Sequence, residues 1–343
     1  MPSPESTIAA QPDPTDVKPE VRRQRLSPRT RLLIVGAIAL AAIAGFLLAD
    51  TNGYFDFVVP LRVKRLVALI VVGWAIGVST VLFQTVTANR ILTPSLMGFD
   101  SVYVLLQTVV VFFFSAQMLR DTDVRIRFVI ETLIMIVFAL TLFRWLFTKG
   151  RYELHVMILA GIVLGTLFRS ITSFLQRIID PSEFEILQNL LFASFVTVNE
   201  DLVWITLGLV ALVSVVVLRR IRVYDVLNLG AATATSLGVD HRKEVVRVLT
   251  LVAILVSAST ALVGPITFFG LLVAHLAYQF AGSHRHIYTL PMAALLAVIT
   301  LVGGQFLLER VLDVMTTLSV VIELIGGITF IVLIIARARR NLL

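Results

Sequence analysis

The chain contains no cysteine, which removes disulfides, thiolate metal sites and cysteine nucleophiles together and leaves the redox compartment undetermined. Charge is scarce: 15% of the 343 residues are Asp, Glu, Lys or Arg, where a soluble globular chain carries about 25%. The motifs of catalysis are missing too. There is no GxxxxGK[ST] phosphate loop, no HExxH, no GxSxG elbow and no GxGxxG, so nothing would cradle a nucleotide or activate a nucleophile. The chain therefore reads as no enzyme and as needing no cofactor; if ATP drives it, another chain binds the ATP. What fills the sequence instead is apolar, with 58% hydrophobic residues and a mean hydropathy of +0.93. Too few charges remain to coat a water-soluble globule of this size, so the solvent must be lipid. The net charge of +7 is then a matter of membrane topology, and it does not call for nucleic acid.

Residues 1–31 differ from the rest, rich in Pro, Ser, Asp and Arg without apolar periodicity, and read as a disordered basic tail. A cleaved signal peptide does not fit, because the apolar run after the Arg cluster has the length of a full span. A bilayer helix needs about 20 largely apolar residues. Ten segments meet or approach this, at 31–49, 64–87, 96–116, 126–147, 154–178, 201–218, 244–263, 266–281, 288–308 and 318–336. Pro94 and the Gly264-Pro265 pair interrupt the third and eighth, which could be broken or re-entrant. Ser79-Thr80 precedes the first interruption and Ser259-Thr260 the second, a faint echo of the inverted repeats of transporters. An even count puts both termini on one side. Of the 29 Lys and Arg, 20 fall on that side and eight on the other, with Arg169 inside the fifth span. That bias predicts cytoplasmic termini, a short basic tail at 337–343 included.

Ionisable groups inside spans are costly and therefore functional candidates. Asp100, Glu131 and Glu323 are expected near interfaces where they reach water; Arg169, about a dozen residues from either flank, is expected to face a wet cavity or a partner helix. Of the five histidines, only His284 and His286 are near neighbours. They are expected in a solvated turn, and no third metal ligand is evident. His275 is expected as a hydrogen-bonded structural imidazole. Gly73xxxGly77 and Gly161xxxGly165 allow close helix packing. Between spans six and seven, the stretch Leu227–Val239, LNLGAATATSLGV, is short on charge and spaced by Gly230 and Gly238. A loop without a duty would be polar; this one predicts two short helices offering a compact apolar surface to a partner.

That stretch resembles the coupling segment of the permeases of iron-siderophore and vitamin B12 ABC importers, the FecCD family. Further likenesses are Arg62-Val63-Lys64-Arg65 before span two, then Gly73, Gln84, Asn89, Pro94 and Gly98, and the run Gly264-Pro265-Ile266-Thr267-Phe268-Phe269-Gly270-Leu271-Leu272-Val273-Ala274-His275. Gly282-Ser283-His284-Arg285, Pro291 and Ile325-Gly326-Gly327 continue it, so the likeness spans about 32–336. Lys64, Arg90, Ala274 and Ile328 stand where the family usually has proline, and Leu190 replaces a common Trp. These departures point to a subgroup, of petrobactin or anguibactin type or one half of a heterodimeric pair.

The resemblance implies an all-α polytopic fold of about ten transmembrane helices, the vitamin B12 importer-like (type II ABC importer) permease fold, over 32–336. It implies a multi-pass protein of the bacterial plasma membrane that imports a ferric siderophore. The partners would be membrane lipid, an extracytoplasmic substrate-binding protein, an ABC ATPase dimer and a second permease, a heterodimer being favoured over a homodimer. Arg62, Arg65 and Arg310 would be outward contacts for the binding protein, with headgroup anchoring as the plainer role. Asn89 and Ile91 would form a cytoplasmic gate, unless Asn89 caps the helix after Pro94. The coupling segment, 225–241, would engage the ATPase through Leu227, Gly230, Ala231, Ala232, Ala234, Leu237, Gly238 and Val239. Vitamin B12 or haem would be the alternative cargo within the family. An ion-coupled secondary transporter is the rival class, although the intramembrane acids are few.

Overall fold

The computed structural model describes residues 26–49, 55–148, 154–195, 198–312 and 317–340. Residues 1–25 of the tail expected at 1–31, and the last residues, 341–343, lie outside them. The described chain is helical throughout: α1 Pro28–Leu48, α2 Phe55–Thr87, α3 Phe99–Asp121, α4 Val124–Thr148, α5 Leu154–Gln176, α6 Pro181–Leu191, α7 Glu200–Arg219, α8 Ile221–Leu227, α9 Ala231–Ser236, α10 His241–Val263, α11 Phe269–Phe280, α12 His286–Leu307 and α13 Leu318–Arg340. A 3-10 turn, Pro94–Met97, precedes α3, and a π turn, Leu308–Leu312, follows α12.

Among the described residues, seven helices are long and apolar enough to cross a membrane, and the shorter apolar segments Phe99–Ser115, Phe269–Phe280 and Leu318–Val332 bring the apolar helical segments to ten. The two segments interrupted by proline are thus present but short. The tail ends sooner than expected: Ser27 caps α1 by accepting from Thr30 N at 3.2 Å, with Pro28 in the first turn, where a missing N–H costs nothing. Asp180, Asn199 and Asp240 open α6, α7 and α10 in the same way. The Ser182 hydroxyl and the Lys243 ammonium, together with these cap bonds, hold the Asp180 and Asp240 carboxyls below the usual carboxylate range.

Helices α2 and α10 form the centre, with 78% and 72% of their spans buried, whereas α1 and the matching part of α5 bury 17% and lie at the periphery. Close approach is bought with small residues. Gly73 and Gly77 of α2 face Ala297 and Ala293 of α12, and a Cβ on Gly77 would stand 3.1 Å from the Ala293 carbonyl oxygen. Gly161 and Gly165 of α5 receive the turn before α3, and a Cβ on Gly165 would stand 3.0 Å from the Cα of Gly98. Both GxxxG pairs are therefore contacts within one chain.

Gly98 adopts φ +91°, and Gly264, which ends α10, adopts φ +94°; both are left-handed positions that a side chain would strain. The two interruptions meet. Ser79, Thr80, Ser95, Ser259, Thr260 and Thr267 line one cavity of about 10 Å³ between them, room for about one water. Ser79 donates to Ile76 O at 3.1 Å and Ser259 to Val256 O at 2.9 Å, so the paired Ser-Thr steps perform the same local task in α2 and α10. A third irregular stretch closes the arrangement: Ser194 N donates to Val263 O at 3.0 Å, and Ser319 donates to Ala193 O at 3.2 Å.

Gly165→Ala should destabilise the protein by about 1–3 kcal/mol, because the added methyl meets backbone that cannot yield. Gly303→Ala, with nothing within 4 Å of the new Cβ, should leave stability unchanged or slightly raised. Thermal unfolding in detergent measures the difference; equal midpoints for the two variants would refute the packing.

Candidate functional site

Asp100 follows Gly98 by two residues, and the contact of Gly98 with Gly161 and Gly165 sets it well inside the bundle. Those glycines lie about 11–17 Å along α5 at 1.5 Å per residue. Around Asp100 stand Ser95 and Thr267, with Arg169 and Glu323 near enough to act on its charge. Arg169 donates to Ser101 Oγ at 3.4 Å and to Thr166 Oγ1 at 3.1 Å, and Thr267 donates to Glu323 at 3.5 Å. Arg169 and Glu323 are both exposed on the chain. Charged groups presented at this depth do not face hydrocarbon; they face water or another protein surface. Glu131 is different. It is 3% exposed, accepts from Gln107 Nε2 at 2.7 Å and pairs with Arg127 at 3.4 Å. The expectation that it reaches water fails because α3 packs over this face of α4.

At one end of the bundle stands a pair of short helices, but only α9 lies inside the Leu227–Val239 stretch expected to hold both; α8, Ile221–Leu227, ends where that stretch begins. Gly230 and Gly238 supply the positive φ, +92° and +82°, on either side of α9. The candidates divide by direction. Leu227 and Ala234 are buried and anchor the pair, whereas Gly230, Ala231, Ala232, Leu237 and Gly238 are exposed and Val239 is half-buried. Leu229, not singled out from the sequence, is 59% exposed, as is Leu237 at 60%; its signal was a leucine between Asn228 and Gly230 at a turn. Beneath α8, Tyr224 is buried, which pushes its phenol up to about 12.

The loop between α2 and the 3-10 turn lies at the same end. Asn89 accepts from Ile91 N at 3.0 Å, so it braces its own loop and does not cap the helix after Pro94. Both residues are half-buried. His275 shares a 2.7 Å hydrogen bond with Gln279. His286 departs from the expected solvated turn: it is 2% exposed and bonded on both ring nitrogens, because the start of α12 is roofed by α8.

At the opposite end, Arg62, expected to point outward, is turned in. It is 8% exposed and donates to Phe46 O, Leu47 O and Ala49 O at 3.2, 3.1 and 2.6 Å. The final carbonyls of α1 have no partners within their helix, and a guanidinium with five donors satisfies several at once. Arg65 is 38% exposed and pairs with Glu309 at 3.6 Å, next to exposed Arg310. Lys64 pairs with Glu200, and Arg125 with Asp201 at 2.7 Å.

A helical membrane chain whose broken helices meet inside the bundle, with charge on one face and paired short helices at one end, has the build of a transport permease. The chain belongs to the FecCD transport family, whose model matches residues 29–336. It is 45% identical over 303 residues to the petrobactin import system permease protein YclO of Bacillus subtilis (strain 168), covering 88% of this chain and 96% of that one. It is 36% identical over 323 residues to the petrobactin import system permease protein FatC of Bacillus anthracis, covering 92% and 91%. The hemin transport system permease protein HmuU of Yersinia pestis is 27% identical over 317 residues, with 90% and 91% covered. Among solved structures, a metal-chelate type ABC transporter in an inward-facing conformation matches with a TM-score of 0.78 at 23% identity, over 90% of this chain and 99% of that one.

Arg62→Ala should lower stability by about 2–3 kcal/mol, since buried carbonyls lose charged donors. Arg65→Ala, half-exposed, should stay within about 0.5 kcal/mol of the parent. Unfolding midpoints in detergent compare them, and an Arg62→Ala protein as stable as the parent would contradict the inward role.

Proposed function

We propose that this chain is a permease subunit of an ATP-driven importer that carries a ferric siderophore of petrobactin type into the cytoplasm. The observation that carries the reading is the exposed Arg169 and Glu323 beside Asp100, deep in the bundle and next to two helix breaks. Facing a second permease, this face would form a wet pathway. A ferric chelate holds its iron in its own oxygen ligands, so the pathway need only meet the chelate's periphery. Arg169 offers the one cation of this group to an anionic chelate, and the neighbouring acids keep its hold weak. The two petrobactin permeases at 45% and 36% identity support the cargo class. A heterodimeric pair is our preferred assembly.

The partners follow from the two ends. The exposed surface of Gly230, Ala231, Ala232, Leu237 and Gly238, joined by Leu229, suits a groove on an ATPase subunit, and a displacement there would rock packed helices between two states. Asn89 and Ile91 would narrow the pathway at that end. Arg65 and Arg310 would meet acidic residues of a binding protein, giving orientation and on-rate more than affinity. With the α8–α9 end cytoplasmic, 20 of the 29 Lys and Arg lie inside, in keeping with the positive-inside rule.

Uptake of ⁵⁵Fe-petrobactin by cells lacking the gene should return with the parent chain and fall about tenfold with Arg169→Glu, a loss of about 1.4 kcal/mol, while Arg169→Lys keeps most of it. Uptake that persists without the ATPase subunit would establish the ion-coupled alternative. Deleting Ala231–Thr235 should release the ATPase in detergent while the permease stays folded; a deletion variant that still retains the ATPase would remove the coupling role.

A further inference from the structure

His286 joins three elements that meet at the α8–α9 end. Its Nδ1 lies 2.7 Å from Asp225 Oδ1 on α8, and its backbone N–H donates to the same oxygen at 2.7 Å. A carboxylate only accepts, so Nδ1 carries the proton. Nε2 then faces the Thr85 hydroxyl at 2.7 Å, in the last turn of α2. The edge of Tyr224, also on α8, packs on the imidazole with ring centroids 6.0 Å apart.

From Thr85 the connection continues into the gating loop. Neighbouring Gln84 donates to Arg90 O at 2.9 Å, and the Arg90 guanidinium lies 4.6 Å over the Tyr278 ring of α11. Ala88 is held at φ +47° between them, a costly conformation for a residue with a side chain. A cavity of about 240 Å³, bordered by Asn228 of the α8–α9 turn on one side and by Ala88 and Arg90 on the other, lets this loop move without repacking a filled core. The other polar tie of α8, Arg220 to Glu244 of α10 at 2.5 Å, is partly exposed and holds the opposite end of the short helix. The buried tie is the histidine.

We infer that His286 is a positioning residue for transport, transmitting displacement of α8 to the end of α2 and so to the Ala88–Ile91 loop. The inference rests on the reading of α8 and α9 as the seat of the ATPase. Buried, doubly bonded rings pass on movement because neither partner can shift alone without leaving a polar group unpaired.

The absence of native cysteine permits a direct test in the assembled complex in liposomes. Spin labels are placed at Arg222→Cys on α8 or Ala88→Cys in the loop, each with a reference at Leu212→Cys on α7, and distances are measured by electron–electron resonance with and without ATP and vanadate. The parent should shift at both sites. His286→Ala and Thr85→Val should keep the Arg222 shift and lose at least half of the Ala88 shift. A loop shift of parental size in both variants would overturn the inference, and Thr85→Val decides alone if His286→Ala does not assemble. A parent complex with no shift at Arg222 would instead overturn the ATPase seat itself.

Discussion

Breaking a helix inside a bilayer strands backbone donors and acceptors where no bulk water can reach them, at several kcal/mol for each unsatisfied group. The rest of this structure depends on how that cost is met. The chain interrupts two helices, before α3 and after α10, and packs the interruptions against one another with serine and threonine hydroxyls between. The stretch after α6 lends Ser194 N–H and Ala193 O to the same region. Glycine at 98, 161, 165 and 264 lets backbone meet backbone where side chains would hold it apart. A permease gains from such breaks because they place polar groups at depth without a long polar helix.

Charge is distributed by the same reasoning. Glu131 and Arg62 are buried and provided with partners, and each ties neighbouring elements together. Asp100, Arg169 and Glu323 instead converge on one face where two of them remain exposed. The difference separates fastening from function: a charge that is enclosed and satisfied holds the bundle, and one presented at depth needs something polar to meet it.

The α8–α9 element is anchored on one side and open on the other. Leu227, Ala234 and Tyr224 point inward and fix it to the bundle, while small residues and two leucines cover its outer surface. Its underside is wired to α10 through Glu244 and to α2 and α12 through His286. A short helix with few residues of its own has little intrinsic stability, so its position is set by these ties. A force on it is carried to the helices that the ties reach.

Composition and periodicity were sufficient for the membrane class and the ten apolar segments, because hydrophobic run length is a local property that lipid reads directly. The prolines marked the broken spans, the glycine spacing marked the close contacts, and the apolar stretch Leu227–Val239 marked α9 and its turns but not α8 before it. The motifs resembling the FecCD family pointed to the family to which the chain belongs. What no local pattern could supply was direction. Arg62 and Arg65, three residues apart, differ in burial because α1 ends beside one of them. His286 looked like part of a solvated turn until α8, some 60 residues away in sequence, roofed it. Asp100, Arg169 and Glu323 meet only because three distant helices pack around the breaks. Side-chain direction, burial and partnership are set by which elements lie alongside, and only the tertiary structure decided that.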